Sequence, residues 1–209
     1  MIEPPGKSLA SWGTFKGAAE AGLVGGVAGE ITGGKFDDGF SVSAAGYLFN
    51  AAAHAKQPMQ ISDVGLQAIA DREGFSPTIY QDVAGNDTIG YGHMLAPGET
   101  AIYQNGITQD QALALLKQDV QATAQAVNSF VRVSLSQGQF DALVSFTYNA
   151  GVSNFSGSTL LRLLNSGDYA GAADQLLRWN HATINGQSTI VPGLTNRRTA
   201  ERCQFLSNC

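Results

Sequence analysis

Apolar residues begin to recur at helical intervals only beyond residue 60. Behind Ser62, Leu66 and Ile69 share one face, and the periodic stretch stops at Glu73-Gly74, which predicts a helix capped by a serine and ended by a glycine. Thr78-Ile79-Tyr80 and Thr88-Ile89-Gly90-Tyr91 then read as strands on either side of an Ala84-Gly85-Asn86-Asp87 turn, a β-hairpin. From Thr108 onward the pattern is helical throughout. Thr108 and Gln111 have capping-box spacing ahead of Leu113, Leu116, Val120 and Val127, and Ser136 and Gln139 repeat it ahead of Phe140, Leu143 and Val144. Ser158 opens Leu160-Leu161-Leu163-Leu164, which runs to Gly167, and Asp168 can cap a helix reaching Trp179. A last helix is expected from about Thr195 to Leu206. Together these elements predict an α+β fold, a small β-hairpin lobe joined to a larger helical lobe, with any site in the gap between lobes.

The chain before that point has a different grammar. Glycine, alanine and serine dominate, with Gly17, Gly22, Gly25, Gly26, Gly29, Gly33 and Gly34 in quick succession. Interior glycine costs a helix up to about 1 kcal/mol relative to alanine, so this stretch is no strong isolated helix. Lys56-Gln57-Pro58 reads as a linker, which divides the chain into a Gly/Ala-rich segment, 1–60, and a folded domain, 61–209. Met1 to Lys16 lacks the basic start and apolar run of a signal peptide, and the run between Glu20 and Glu30 is far shorter than the roughly 20 apolar residues of a membrane span.

With 44% apolar residues in 209, the chain can build a real core. Twelve basic against seventeen acidic side chains give a net charge of -5 without a basic cluster, which argues against nucleic acid as a partner. His54, His93 and His181 show no ligand spacing, so neither a metal nor another cofactor is expected. Cys203 and Cys209 read as two free thiols near a frayed end, with a terminal disulfide as the alternative in an oxidising compartment.

Among the carboxylates, Glu73 stands out. It ends a helix, where the negative end of the macrodipole disfavours ionisation, and Gly74-Phe75 can supply an apolar wall. Asp82 lies where the first strand turns, and Thr88 sits on the returning strand, where its hydroxyl could hold a water. One protonated carboxyl facing a second carboxylate is the arrangement that glycoside hydrolysis requires. Equally, Glu73 could finish a solvated helix, and Asp82 and Asp87 are ordinary turn residues.

The order Glu73, Asp82, Thr88 inside EGFSPTIYQDVAGNDTIGYGH resembles the catalytic signature of phage-type lysozymes, the endolysin muramidases. QFDALVSFTYNAG (139–151), STLLRLLNSGDYAGAADQLLRW (158–179) and GLTNRRTAER (193–202) extend the resemblance in family order from about Ser62 to Leu206. It implies a lysozyme-like fold and hydrolysis of the β-1,4 bond between N-acetylmuramic acid and N-acetylglucosamine in bacterial peptidoglycan, with inversion. On these positions it makes Glu73 the general acid, Asp82 the second carboxylate and Thr88 the hydroxyl beside the attacking water. It also places an arginine of the last segment against the catalytic glutamate, for which Arg197 is favoured; Arg198 would instead lie on a solvated face with Glu201. Both arginines are expected at the start of the last helix, where the dipole disfavours cations unless a partner is present.

Five neighbours carry two readings each. His93 could bind sugar or pair with a core carboxylate and stiffen the junction of the lobes, the second being favoured. Tyr148 and Asn149 could stack on a sugar and bond an N-acetyl group, or simply end a buried helix. Trp179 is expected in the core. Gly90 and Gly92 admit either a close ligand or local curvature.

A wall amidase or peptidase would need a zinc site or a Cys/His pair, and a non-catalytic glycan-binding module would not need the Glu73/Asp82/Thr88 set. The stretch 29–53 resembles the Gly/Ala-rich junction that precedes toxin domains in polymorphic toxins. That implies a monomeric antibacterial effector, made in the cytoplasm, exported to a rival's periplasm and countered by an immunity protein. The alternative is a phage or prophage endolysin released through a holin.

Overall fold

A computed structural model describes Ala44, residues 57–82, 84–184 and 186–207. The Gly/Ala-rich stretch, the toxin-junction resemblance at 29–53, His54 and Cys209 therefore lie outside the described residues, Ala44 apart. Pro58 begins a compact unit of its own.

Helix α1 (Asp63–Glu73) starts where Ser62 accepts a 3.0 Å bond from the Gly65 amide, and Gly74, at φ +78°, ends it. Strands β1 (Ser76–Gln81), β2 (Asp87–Gly90) and β3 (His93–Met94) come next as one antiparallel sheet in that order, irregular between Ser76 and Tyr80. The expected hairpin thus gains a third strand, too short to show a pattern of its own. At Gly90 the choice between ligand and curvature is settled by packing: a Cβ there would lie 3.0 Å from the Ala112 side chain. Its φ of +68° and missing side chain let β2 press on the adjoining helical layer, so the close neighbour is protein. Ile89 and Thr88 are buried on the same strand.

Helix α2 (Thr100–Tyr103), which the sequence pattern does not signal, precedes α3 (Gln109–Asp119) and α4 (Gln121–Phe130). Both capping boxes form as expected, Thr108 with Gln111 and Ser136 with Gln139. The second opens α5 (Gln137–Ala150), in which eight successive residues, Phe140 to Thr147, are buried. A helix buried all round is the centre of a fold, and α5 packs against α1, α4, α6 and α9. Short α6 (Val152–Ser156), α7 (Thr159–Asn165, capped by Ser158) and α8 (Tyr169–Leu176, capped by Asp168) complete the helical wall. Phe146 of α5 meets Phe155 and Trp179 edge-on at 6.4 and 5.4 Å.

The chain beyond Thr108 is not helical throughout. Helix α8 stops at Leu176, short of Trp179, which is half-buried against the core rather than inside it. A hairpin, β4 (His181–Ile184) and β5 (Gln187–Ile190), comes after it, with Ile184 paired to Gln187 across two residues and Gly186 at φ +77°. Asn185-Gly186 is a strong hairpin signal, and weak strand propensity around it hid the element. Helix α9 begins at Pro192, a residue suited to a first helical position, and runs to Leu206. Arg197 and Arg198 consequently lie in its second turn, and the dipole objection to them lapses. Cys203, on this helix, is disulfide-bonded, which corrects the free-thiol reading.

Candidate active site

Glu73 is the last residue of α1, and its side chain is 26% exposed. It borders a cavity of about 680 Å³ that Arg72, Asn149, Val191, Leu194 and Arg197 also line. The packing of α1 and α9 on α5 brings these distant residues together. Arg197 Nη1 donates to Glu73 Oε1 at 2.8 Å, so the arginine expected beside the glutamate is there. The same guanidinium donates through Nε to Glu201 Oε1 at 3.2 Å and through Nη2 to the Ser145 carbonyl at 3.3 Å.

Arg198 departs from the sequence reading. It is buried at 1% exposure, with its guanidinium 5.0 Å from the centre of the Phe146 ring. Its Nη1 lies 2.9 Å from Glu201 Oε2, an ion contact bent away from hydrogen-bond geometry, and its Nη2 donates to Asn149 Oδ1. Burial pulls the Arg198 pKa down, against the charge of Glu201. Arg72 is pulled down for the same first reason, and its Nη1 donates to the Ser145 hydroxyl at 3.2 Å. The Ser145 hydroxyl donates in turn to Glu201 Oε1 at 2.8 Å.

Asp82 sits in a contrasting environment. Its exposed carboxylate accepts from the Ala84 and Asn86 amides at 2.8 and 2.9 Å and from the Asn86 side chain at 3.1 Å. These bonds, with Asn86's backbone N–H first and its side-chain amide next, hold Asp82 below the usual carboxylate range. Thr88 is buried beside Tyr80 and donates its hydroxyl to the Asn86 carbonyl at 3.1 Å, which leaves the oxygen's lone pairs free to accept. Asn86 therefore ties Asp82 to Thr88. The turn chemistry of Gly85-Asn86-Asp87 was legible, but not this link.

His93 turns one ring nitrogen to each of two carboxylates. Nδ1 lies 2.9 Å from Asp119 at the end of α3, and Nε2 lies 3.4 Å from Glu99, which also accepts the Ala96 amide at 2.8 Å. The ring joins the sheet to α3 through Nδ1, while Nε2 is buried and makes only the longer 3.4 Å ion contact to Glu99, so the carboxylate pairing is what this geometry provides. Tyr148 is half-buried and its hydroxyl is pushed up to about 12, first by burial and then by the charges of Asp119 and Glu73. It remains a neutral donor close to Glu73. Asn149 is exposed at the cavity, its oxygen taken by Arg198 and its amide nitrogen thereby the free end. Among the described residues no group of His, Cys, Asp and Glu could hold a metal ion, and no helix is long and apolar enough to cross a membrane.

Sequence reasoning missed Asn86, Arg72, Ser145 and Asp119. Only the Arg-Arg-x-x-Glu spacing at 197–201, which places charges on one helical face, hinted at Glu201's place in the cluster.

A small sheet, a helical wall built around one buried helix, and a glutamate held at a cavity by an arginine define a lysozyme-type glycoside hydrolase. The family model for phage lysozyme matches residues 70–201, and the chain belongs to that family. It is similar to an endolysin of Acyrthosiphon pisum secondary endosymbiont phage 1, 42% identical over 151 residues that cover 71% of this chain and 99% of the relative. Among solved structures, the muramidase domain of SpmX from Asticaccaulis excentricus superposes with a TM-score of 0.64 at 38% identity, covering 70% of this chain and 97% of that one. An endolysin from the Escherichia coli O157:H7 phage FAHEc1 gives a TM-score of 0.64 at 37% identity, covering 72% and 96%.

Proposed function

We propose that the domain hydrolyses the β-1,4 bond between N-acetylmuramic acid and N-acetylglucosamine in peptidoglycan, with inversion at the anomeric carbon. Glu73 donates the proton to the leaving oxygen. Asp82 and Thr88 hold the attacking water, Asp82 as the base. The observation that carries this reading is the contrast between two carboxyls: Glu73 faces a cavity under a single arginine contact, while Asp82 is held as an anion by three donors. Tyr148 and the free amide of Asn149 are suited to the sugar face and its N-acetyl group.

Dye release from purified peptidoglycan tests the assignment. Glu73→Gln keeps the shape and removes the proton, and should cost at least ~10²-fold in rate. A folded variant that retains most of its activity removes Glu73 from the role of acid. Products with cut stem peptides and intact glycan would identify an amidase instead, and an inert wild type a binding module.

In the cell the activity serves one of two roles. The relatives' description as endolysins supports host-cell lysis, with export to the wall through a holin or another route. The resemblance of 29–53 to a toxin junction supports an exported antibacterial effector with an immunity partner that covers the cavity. Directing the chain to the periplasm of a susceptible cell, with and without the product of the neighbouring reading frame, separates them. Protection, together with binding to the purified domain, supports the effector; neither supports the endolysin.

A further inference from the structure

The most deeply buried titratable side chain on α9 takes no part in the bond cleavage itself. Glu201 is 0% exposed and spends its two oxygens on two arginines. Oε1 accepts from Arg197 and from the Ser145 hydroxyl, and Oε2 lies against Arg198. Each arginine then reaches outward to a different group at the cavity, Arg197 to Glu73 and Arg198 to Asn149. A guanidinium can only donate, so its contact with Asn149 Oδ1 also fixes which end of that amide is presented to a ligand.

We propose that Glu201 is a positioning residue of the reaction, which holds Arg197 and Arg198 at fixed angles and divides Arg197's charge between itself and Glu73. The proposal rests on Glu73 being the acid. Arg197 is planar, with its donors in a rigid fork, so the Nε contact to Glu201 sets where Nη1 falls. The anion on Glu201 neutralises part of the charge that would otherwise bear on Glu73 alone. A catalytic acid needs that relief, because an unopposed guanidinium keeps a carboxyl ionised. Among the described residues, Arg72 on its own helix and Tyr148 on α5 also feel the charge of Glu73, with Asp71 acting on Arg72 and Asp119 on Tyr148. None of these bonds Arg197, so Glu201 is the carboxylate that shares it with Glu73.

Glu201→Gln keeps an oxygen for Arg197 but removes the anion, so the arginine's charge bears on Glu73 undivided and favours the ionised form. The alkaline limb of kcat against pH, where the acid loses its proton, should then move to lower pH by about one unit, the low end of what a neighbouring cation does to a carboxyl. Glu201→Asp, which keeps the charge, should restore most of the limb. A single neutral substitution among buried ions can fail to fold, so Glu201→Gln/Arg198→Met, which removes both charges and leaves an unbranched side chain over Phe146, is the second variant. It should shift the limb in the same direction but by less, because losing Arg198's cation offsets part of the loss of Glu201's anion. Circular dichroism establishes the fold, and dye release from peptidoglycan supplies the rates. A carbon-13 NMR titration of the Glu73 carboxyl gives a readout independent of turnover, and its midpoint should move down with the limb. A folded variant whose carboxyl midpoint stays at the wild-type value overturns the proposal. A midpoint that moves while the rate profile stays still leaves Glu201 its hold on Arg197 and faults Glu73 as the acid.

Discussion

Gly65→Ala is the substitution on which the packing of α1, the helix that carries Glu73, can be judged. On a free helix surface the change stabilises by up to about 1 kcal/mol. Here a Cβ on Gly65 would meet Asp141 of α5 at 2.5 Å from Cγ and 2.7 Å from Cβ. Asp141 is 3% exposed and cannot swing away freely. Its Oδ1 accepts the Ser62 amide at 3.0 Å and Gln137 Nε2 at 2.8 Å, and its Oδ2 accepts the Ser62 hydroxyl at 2.5 Å. Ser62 is also the cap of α1. Retreat by Asp141 breaks at least one bond to a charged acceptor, about 1.5–3 kcal/mol, and overpacking adds about 1–3 kcal/mol. Set against the helical gain of about 1 kcal/mol, the net is a loss of roughly 1.5–5 kcal/mol. For a chain of this length that lowers Tm by about 3–20 °C. Urea unfolding monitored by circular dichroism measures it, and the double variant with Asp141→Ala isolates the clash. In that background Gly65→Ala should change from destabilising to neutral or better. A single variant with Tm at or above wild type would show that α1 and α5 can part at no cost, and the reasoning fails. Activity should fall with stability, because Glu73 rides at the far end of the same helix.

A proton NMR time course on a short glycan should show the inverted anomer first, and a crystal structure should place the Glu73 and Asp82 carboxyls roughly 6.5–9.5 Å apart; early product of retained configuration refutes inversion. Asp82's depressed pKa means that its turn is stabilised above the ordinary carboxylate range and loses that support as pH falls through the folded value. Amide exchange at Ala84 and Asn86 should therefore accelerate on acidification, beyond the intrinsic pH effect, in wild type and not in Asp82→Asn.

What the sequence determined by itself was local. Ser62, Thr108, Ser136, Ser158 and Asp168 all cap helices where their spacing says they should, because a cap and its recipient amide lie within one turn. The candidate set Glu73, Asp82 and Thr88 was equally local, since one helix end and the hairpin that follows it contain all three. Three elements were lost for the opposite reason: β3 and α2 are too short for periodicity, and β4–β5 is a polar hairpin without a buried face. The burial of Arg198 could not be read at all. An arginine beside a glutamate on one helix face is solvated in most contexts, and only the docking of α9 on α5 removes the water. The same packing brings Ser145, Asn149, Glu73 and Glu201 to two neighbouring guanidiniums from positions up to 128 residues apart in the chain. Charge pairing at that sequence separation leaves no periodic trace, so the proposed acid could be named from the sequence, whereas its electrostatic setting exists only in the folded chain.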